Sequence, residues 1–384
     1  RARKATAELQ AGRFGYRLRV AGEVGNYAGC EQVHELPAIF HYWSNRYLRP
    51  RLERHGFSHP DGFFLKFASE CLARRGATPA SIVSIGAGNC DTEVRLASSL
   101  REAGHDGFVI RCLDVNASML ERGRALAADA GVGAHLAFER VDLNRHRIIG
   151  PQAAIIANQS LHHIVELERV LDGVRDALEP GGRFIVSDMI GRNGHQRWPE
   201  ARAIVDEFWA TLPARYRYNH QLRRTEERFL DWDCSVSGFE GVRAQDILRL
   251  CVERFGFDLF IGFANVVDPF IDRGFGPNFD ANDPADRAFI DRVHARDEAE
   301  IRAGRIKPTH LFAVMTRGEG EGVYDDGLAP RDAMPDHLPG DPGAQDTFRL
   351  MARRMVPIID AQVLAAGGRR STLASCSLKT ASAS

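Results

Sequence analysis

Lysine is almost missing from this chain. Of 50 basic residues in 384, only Lys4, Lys66, Lys307 and Lys379 are lysines, which reads as coding bias rather than function. Net charge is missing as well, with 50 basic against 51 acidic side chains. Such a balance offers no positive field to a phosphate backbone or an anionic lipid surface, so neither nucleic acid nor membrane is an expected partner. The longest uncharged stretches, such as residues 76–90, are broken by Pro or Gly and fall short of the 18 or more apolar residues of a bilayer span. No secretory signal is expected. Seven cysteines, an odd number with no CxxC pair, make neither a disulfide framework nor a zinc pattern, and a reducing cytoplasm suits them best. Methionine does not occur before Met119 and the chain opens on Arg1, as a processed product or a piece of a longer protein would.

What is present is ordinary globular composition, 44% hydrophobic and 26% charged, so most of the chain is expected to fold. Residues 1–75 mix charge with aromatics, and Leu36, Ile39, Phe40, Trp43 and Tyr47 recur at helical spacing, a helical prologue. From Pro79 short apolar runs alternate with amphipathic stretches, the mark of βαβ units in an α/β sheet. Strands are predicted at 81–85, 108–113, 135–141, 153–157 and 183–187, with helices over 92–103 and 117–130. Ile164, Leu167, Leu171, Val174 and Leu178 mark a further helix face, ended by Pro180-Gly181-Gly182. The alternation then stops over residues 191–241, too long a connection for a compact domain unless it carries a task. It resumes with a helix at 244–255, a strand at 257–267, a helix started by Asp283-Pro284 and stopped by Gly304, and a strand at 310–315. The core is therefore expected over 76–318. Residues 319–384, rich in Gly, Pro and Asp and then Ser and Ala, are expected to hold little order beyond a helix near 348–355.

All four tryptophans (Trp43, Trp198, Trp209, Trp232) and all seven tyrosines lie outside the alternating core. Rings so placed either line a ligand pocket or pack the insertion onto the sheet. The sharpest local signal is Ile85-Gly86-Ala87-Gly88-Asn89-Cys90-Asp91, between a predicted strand and a predicted helix, where an α/β sheet holds a nucleotide. A dinucleotide fingerprint needs Gly or Ala at its third position; Asp91 stands there and would repel a pyrophosphate. A phosphate-free ligand with a cationic end suits that carboxylate, or Asp91 simply opens the helix. S-adenosylmethionine is such a ligand. Asp114, at the end of the second strand, is placed to accept from a ribose diol, and Asp142, after the third, from an adenine amino group.

These residues carry a resemblance. Val83-Ser84-Ile85-Gly86-Ala87-Gly88, Leu113-Asp114, Val141-Asp142-Leu143, Ser160-Leu161-His162-His163 and Leu178-Glu179-Pro180-Gly181-Gly182-Arg183-Phe184 resemble a class I S-adenosylmethionine-dependent methyltransferase of the small-molecule type, over roughly residues 79–190. The resemblance implies a Rossmann-like seven-stranded sheet, a helical N-terminal lid and a cap inserted after the fifth strand. It also implies cofactor contacts at Gly86, Ala87, Gly88, Asp91, Asp114, Val115, Asp142, Leu143 and Asn158, with Tyr42 and Arg46 folding over from the lid. Cys90 replaces a glycine found in many members. Asn158-Gln159-Ser160 replaces the Asn-Pro-Pro-aromatic motif of methylases acting on bases, which argues against a nucleobase acceptor.

Methyl transfer to a hydroxyl needs alignment, exclusion of water and removal of a proton, and histidine titrates in the right range. His162 and His163 after the fourth strand and His195 after the fifth are the candidates; both roles, catalytic and structural, are open to them. Glu200, His220, Asp231 and Asp233 stand in the insertion beside Trp198 and Trp232. No metal site is expected, because the acids share no helix face with histidines at i, i+4 spacing. The expected activity is methylation of a small hydroxylated acceptor, of sugar or natural-product class. The rivals are a nicotinamide oxidoreductase and a non-catalytic binding module; the oligomeric state stays open.

Overall fold

A computed structural model describes residues 36–75, 79–236 and 238–335. The first 35 residues of the prologue and the helix expected near 348–355 lie outside the described residues. The chain begins with α1 (Ala38–Trp43), a π-helical turn (Ser44–Leu48) and α2 (Arg49–Glu53). Pro50 explains the wide turn: its ring clashes with the preceding carbonyls and it supplies no N–H, so the helix absorbs a residue there. Helix α3 (Pro60–Arg75) leads into the sheet.

The core runs β1 (Ala80–Ile85), α4 (Asp91–Glu102), β2 (Phe108–Asp114), α5 (Ala117–Asp129), β3 (Leu136–Arg140), β4 (Gln152–Asn158), α6 (Leu167–Ala177) and β5 (Leu178–Met189). It continues through α7 (Pro199–Thr211), the short pair β6 (Tyr218–Asn219) and β7 (Arg224–Thr225), α8 (Ala244–Val252) and β8 (Gly256–Phe263). Then follow α9 (Asp268–Ile271), α10 (Pro284–Arg302), β9 (His310–Thr316) and β10 (Val323–Tyr324). The large sheet has the order β10-β8-β9-β5-β4-β1-β2-β3, parallel except for β9, which is antiparallel to both β5 and β8. Alternation within each strand builds two cores. Ile82, Ile110, Ala154 and Ile156 face one layer; Val83, Ile85, Ile155 and Ala157 face the other.

Three expectations are corrected. The sheet has eight strands, not seven: Val323–Tyr324 adds to β8 as an edge, in the Gly/Pro/Asp-rich stretch expected to hold little order. That stretch is pinned because Asp325 accepts from Arg51, Arg54 and His55 of the prologue. Helix α6 stops at Ala177 and Pro180-Gly181-Gly182 lies inside β5 rather than in a loop. Gly182 allows it, since a Cβ there would meet Gln152 O at 2.9 Å across the strand pair. The strand expected to reach residue 267 ends at Phe263, because Ala264 turns through φ 56° and its carbonyl is taken by Thr309. Among the described residues no helix is long and apolar enough to cross a membrane.

Candidate active site

The loop after β1 is set by its backbone. Gly86, Gly88 and Cys90 all take positive φ (64°, 58° and 60°), which swings the chain from β1 into α4 within five residues. Gly86 and Ala87 N–H both donate to Leu113 O (2.8 and 3.1 Å), tying the loop to the end of β2. There Asp114 accepts from Gly88 N–H through Oδ2 (2.8 Å) and from Asn116 N–H through Oδ1 (2.7 Å). A side chain on Gly86 is excluded: its Cβ would stand 2.7 Å from Ser160 Cβ. The glycine loop and the segment after β4 therefore touch.

That segment carries unused polarity. Asn158 Oδ1, Gln159 Oε1 and Ser160 Oγ are buried with no hydrogen-bond partner, while Asn158 Nδ2 is held by Thr92 Oγ1 (3.2 Å). Asn116 Nδ2, at the cap of α5, is in the same condition. Buried polar atoms left unpaired are costly, and such a group facing a loop that only glycine fits is what a polar ligand would complete. These residues fit a cofactor with an amino-acid end and hydroxyls.

The three candidate histidines come together. His162 is fully buried and donates from Nδ1 to Asp188 Oδ1 (2.6 Å), and Asp188 Oδ2 accepts from Ser160 and Leu161 N–H (3.0 and 2.8 Å). Its Nε2 lies 3.3 Å from Glu240 Oε1, while His163 Nε2 lies 3.6 Å from Glu240 Oε2. His195 Nε2–H donates to Glu240 Oε1 at 2.7 Å. Its backbone, at φ 58°, is packed between Gly194 and Gly241, where a Cβ on Gly241 would meet His195 at 3.0 Å. Burial alone would lower the His162 imidazole, but Asp188 and Glu240 outweigh it and push it up to about 10. Burial would raise the Glu240 carboxyl, yet the imidazoles hold it well below the usual carboxylate range. His195, by contrast, is lowered by burial despite Glu240.

Other expected residues also have partners within the protein. Asp91 opens α4, where a carboxylate complements the helix N-terminus. Asp142 makes a turn with Asn144 N–H (3.1 Å) and pairs with Arg145 (3.3 Å); Leu143 is buried in the core beneath it. Val115 accepts through its carbonyl from Arg140 (3.2 Å). Tyr42 donates to Asp291 of α10 (2.8 Å), and Arg46 bonds Tyr47 (3.0 Å) and faces the same aspartate (3.7 Å), so this part of the prologue is seated on α10. Within the insertion, Asp231 accepts from Arg197 N–H, Asp233 from Ser235, and His220 bonds Asn278. Trp209 packs among Phe229, Phe270 and Phe275, a core of the cap rather than an open wall. Asp188 and Glu240 are the functional-looking residues that sequence reasoning missed. Asp188 ends a predicted strand, the same signal that singled out Asp114; Gly238-Phe239-Glu240-Gly241 carries no spacing that points to the histidines.

The sheet order and the glycine turn after its first strand define an α/β domain of the doubly wound kind, in which ligands bind outside the carboxyl ends of the strands. Residues 83–184 match the family model of a methyltransferase domain. Solved structures with likeness to the chain include a geranyl diphosphate methyltransferase in complex with SAM (12% identity, 66% of this chain and 84% of that one, TM-score 0.37). Another is geranyl diphosphate C-methyltransferase from Streptomyces coelicolor A3(2), in complex with Mg2+, geranyl diphosphate and S-adenosyl-L-homocysteine (10% identity, 65% and 78%, TM-score 0.36). A third is the mitomycin 7-O-methyltransferase (18% identity, 39% and 43%, TM-score 0.26). Comparison with curated proteins gives no match.

Proposed function

We propose that the protein methylates a hydroxyl of a small-molecule acceptor, of the sugar or natural-product class. The observation that carries this reading is the convergence of His162, His163 and His195 on Glu240, with His162 and His163 next to Ser160, which touches the glycine loop. Neutral amines attack a sulfonium unaided, whereas a hydroxyl must be brought close to ionisation first. A buried assembly of imidazoles and carboxylates suits that demand. When bound, S-adenosylmethionine supplies a methyl group whose carbon–sulfur electron pair stays on sulfur, giving neutral S-adenosylhomocysteine as the oxygen–carbon bond forms.

The chain's own residues do the rest. Gly86, Gly88, Asp114 and Asn158 would hold the cofactor. Asp188 fixes the ring of His162, and Glu240 is fixed in turn by His195. The acceptor's proton leaves through the His163 edge of the cluster, whose side chain is 20% exposed while that of His162 is wholly covered. Incubation with methyl-labelled S-adenosylmethionine and a panel of hydroxylated, amine and carbon acceptors tests the reading. His163→Ala is expected to lower hydroxyl methylation on the order of a hundredfold while S-adenosylhomocysteine still binds. Label transferred only to amines, or full activity in that variant, would refute it.

A further inference from the structure

We infer that His162, His163 and Glu240 form a binding site for one divalent transition-metal ion. Their donor atoms lie within 4.8 Å of one another. Two separations among them, 3.3 Å from His162 Nε2 and 3.6 Å from His163 Nε2 to the two Glu240 oxygens, are those expected of donors around a shared ion. With metal–ligand bonds of about 2.1 Å, neighbouring donors stand roughly 3–4 Å apart. His162 gives a further sign: its Nε2 is buried, makes no well-formed hydrogen bond, and faces Glu240 Oε1 across 3.3 Å.

The surroundings have the form that metal ligands need. The other ring nitrogen of His162 donates to Asp188, a carboxylate–histidine pair that orients the ring with Nε2 toward the ion, which would displace the proton held there. Asp188 is itself held by three backbone N–H groups, those of Ser160, Leu161 and Met189. Glu240 is oriented by the N–H of His195. Two imidazoles with one carboxylate select zinc and its neighbours over magnesium or calcium, which take oxygen ligands. Three protein ligands leave coordination positions open, as catalytic zinc sites do. The inference rests on the hydroxyl-acceptor reading only for its purpose: an ion there would lower the pKa of the acceptor hydroxyl, and the proton would pass to solvent along the partly exposed His163 edge.

The test uses the full chain, stripped with a chelator and dialysed, then titrated with Zn2+ by calorimetry and with Co2+ by absorption spectroscopy. One ion per chain is expected, with a ligand-field spectrum of a low-coordinate nitrogen–oxygen site. His163→Ala and Glu240→Gln should each weaken binding more than tenfold, and His220→Ala should not. Circular dichroism checks that each variant is folded; His163, at the edge of the cluster, keeps the test valid where a change at buried His162 would unfold the protein. Absence of stoichiometric binding, or binding that neither variant weakens, would overturn the site. Full hydroxyl methylation by the stripped protein would overturn the purpose given to the ion and leave the acceptor reading standing. A bound ion in a protein that methylates no hydroxyl would keep the site and sink that reading.

Discussion

Replacing Asp114 by alanine removes one carboxylate and two backbone-directed hydrogen bonds at once, those from Gly88 N–H (2.8 Å) and Asn116 N–H (2.7 Å). Hydrogen bonds to a charged group are worth about 1.5–3 kcal/mol each when buried, and the half-buried position lets water recover part of that. A loss of about 2 kcal/mol in folding stability is therefore expected, since the loop and the start of α5 both lean on this side chain. Cofactor affinity should fall further than stability alone would require. One lost contact from a ligand hydroxyl to a carboxylate corresponds to a tenfold to hundredfold change, because about 1.4 kcal/mol is a factor of ten. Asp114→Asn separates the two effects: it keeps the shape and one acceptor oxygen, so it should recover most of the stability and little of the affinity. Chemical denaturation measures the first quantity and calorimetry with S-adenosylhomocysteine the second. If folded Asp114→Ala bound S-adenosylhomocysteine within twofold of the original protein, the assignment of Asp114 to the cofactor would be wrong.

Two further outcomes concern how the prologue is held. His294 Nδ1 accepts from Trp43 Nε1–H (3.2 Å), and burial, then Arg51, lowers this imidazole from 6.5 to about 4. A folded value below the unfolded one means that the unfolded chain takes up the proton first, so stability is full above pH 6.5 and is lost as pH falls toward 4. Urea unfolding at pH 7.5 and 4.5 should show about 2–3 kcal/mol lost in the original protein beyond that lost in His294→Gln, which keeps an acceptor but does not titrate. Equal losses would refute the link. At the other anchor, Asp325→Ala strips Arg51, Arg54 and His55 of a shared buried partner. Breaking such a pair costs about 3 kcal/mol, read by calorimetry as a melting point lower by roughly 6–10 °C; an unmoved melting point would show that the edge strand is not held this way.

The parallel sheet was legible because its strands are buried on both faces and so read as short apolar runs, as at Ile82-Val83 and Ile155-Ile156. The glycine turn was legible because positive φ at Gly86 and Gly88 leaves few other residues to choose. Element ends were less so. Pro180-Gly181-Gly182 reads as a stop by local propensity, yet the pairing of β5 with β4 overrides it, and Gly182 serves close approach there. The edge strand at Val323–Tyr324 has no local signal at all, since Asp325 and its three partners are some 270 residues apart along the chain.

By itself the sequence determined which site residues stand near the carboxyl ends of the parallel strands, since that follows from local patterning: the loop after β1, Asp114, Asn158, and histidines at 162, 163 and 195. Only the tertiary structure decided that those histidines meet on Glu240 with Asp188 behind them, and that Tyr42 and Arg46 are seated on α10. The reason is physical. Backbone conformation depends on near neighbours, whereas a charged cluster is assembled by three segments, after β4, after β5 and before α8, whose meeting depends on the packing of the whole sheet and cap.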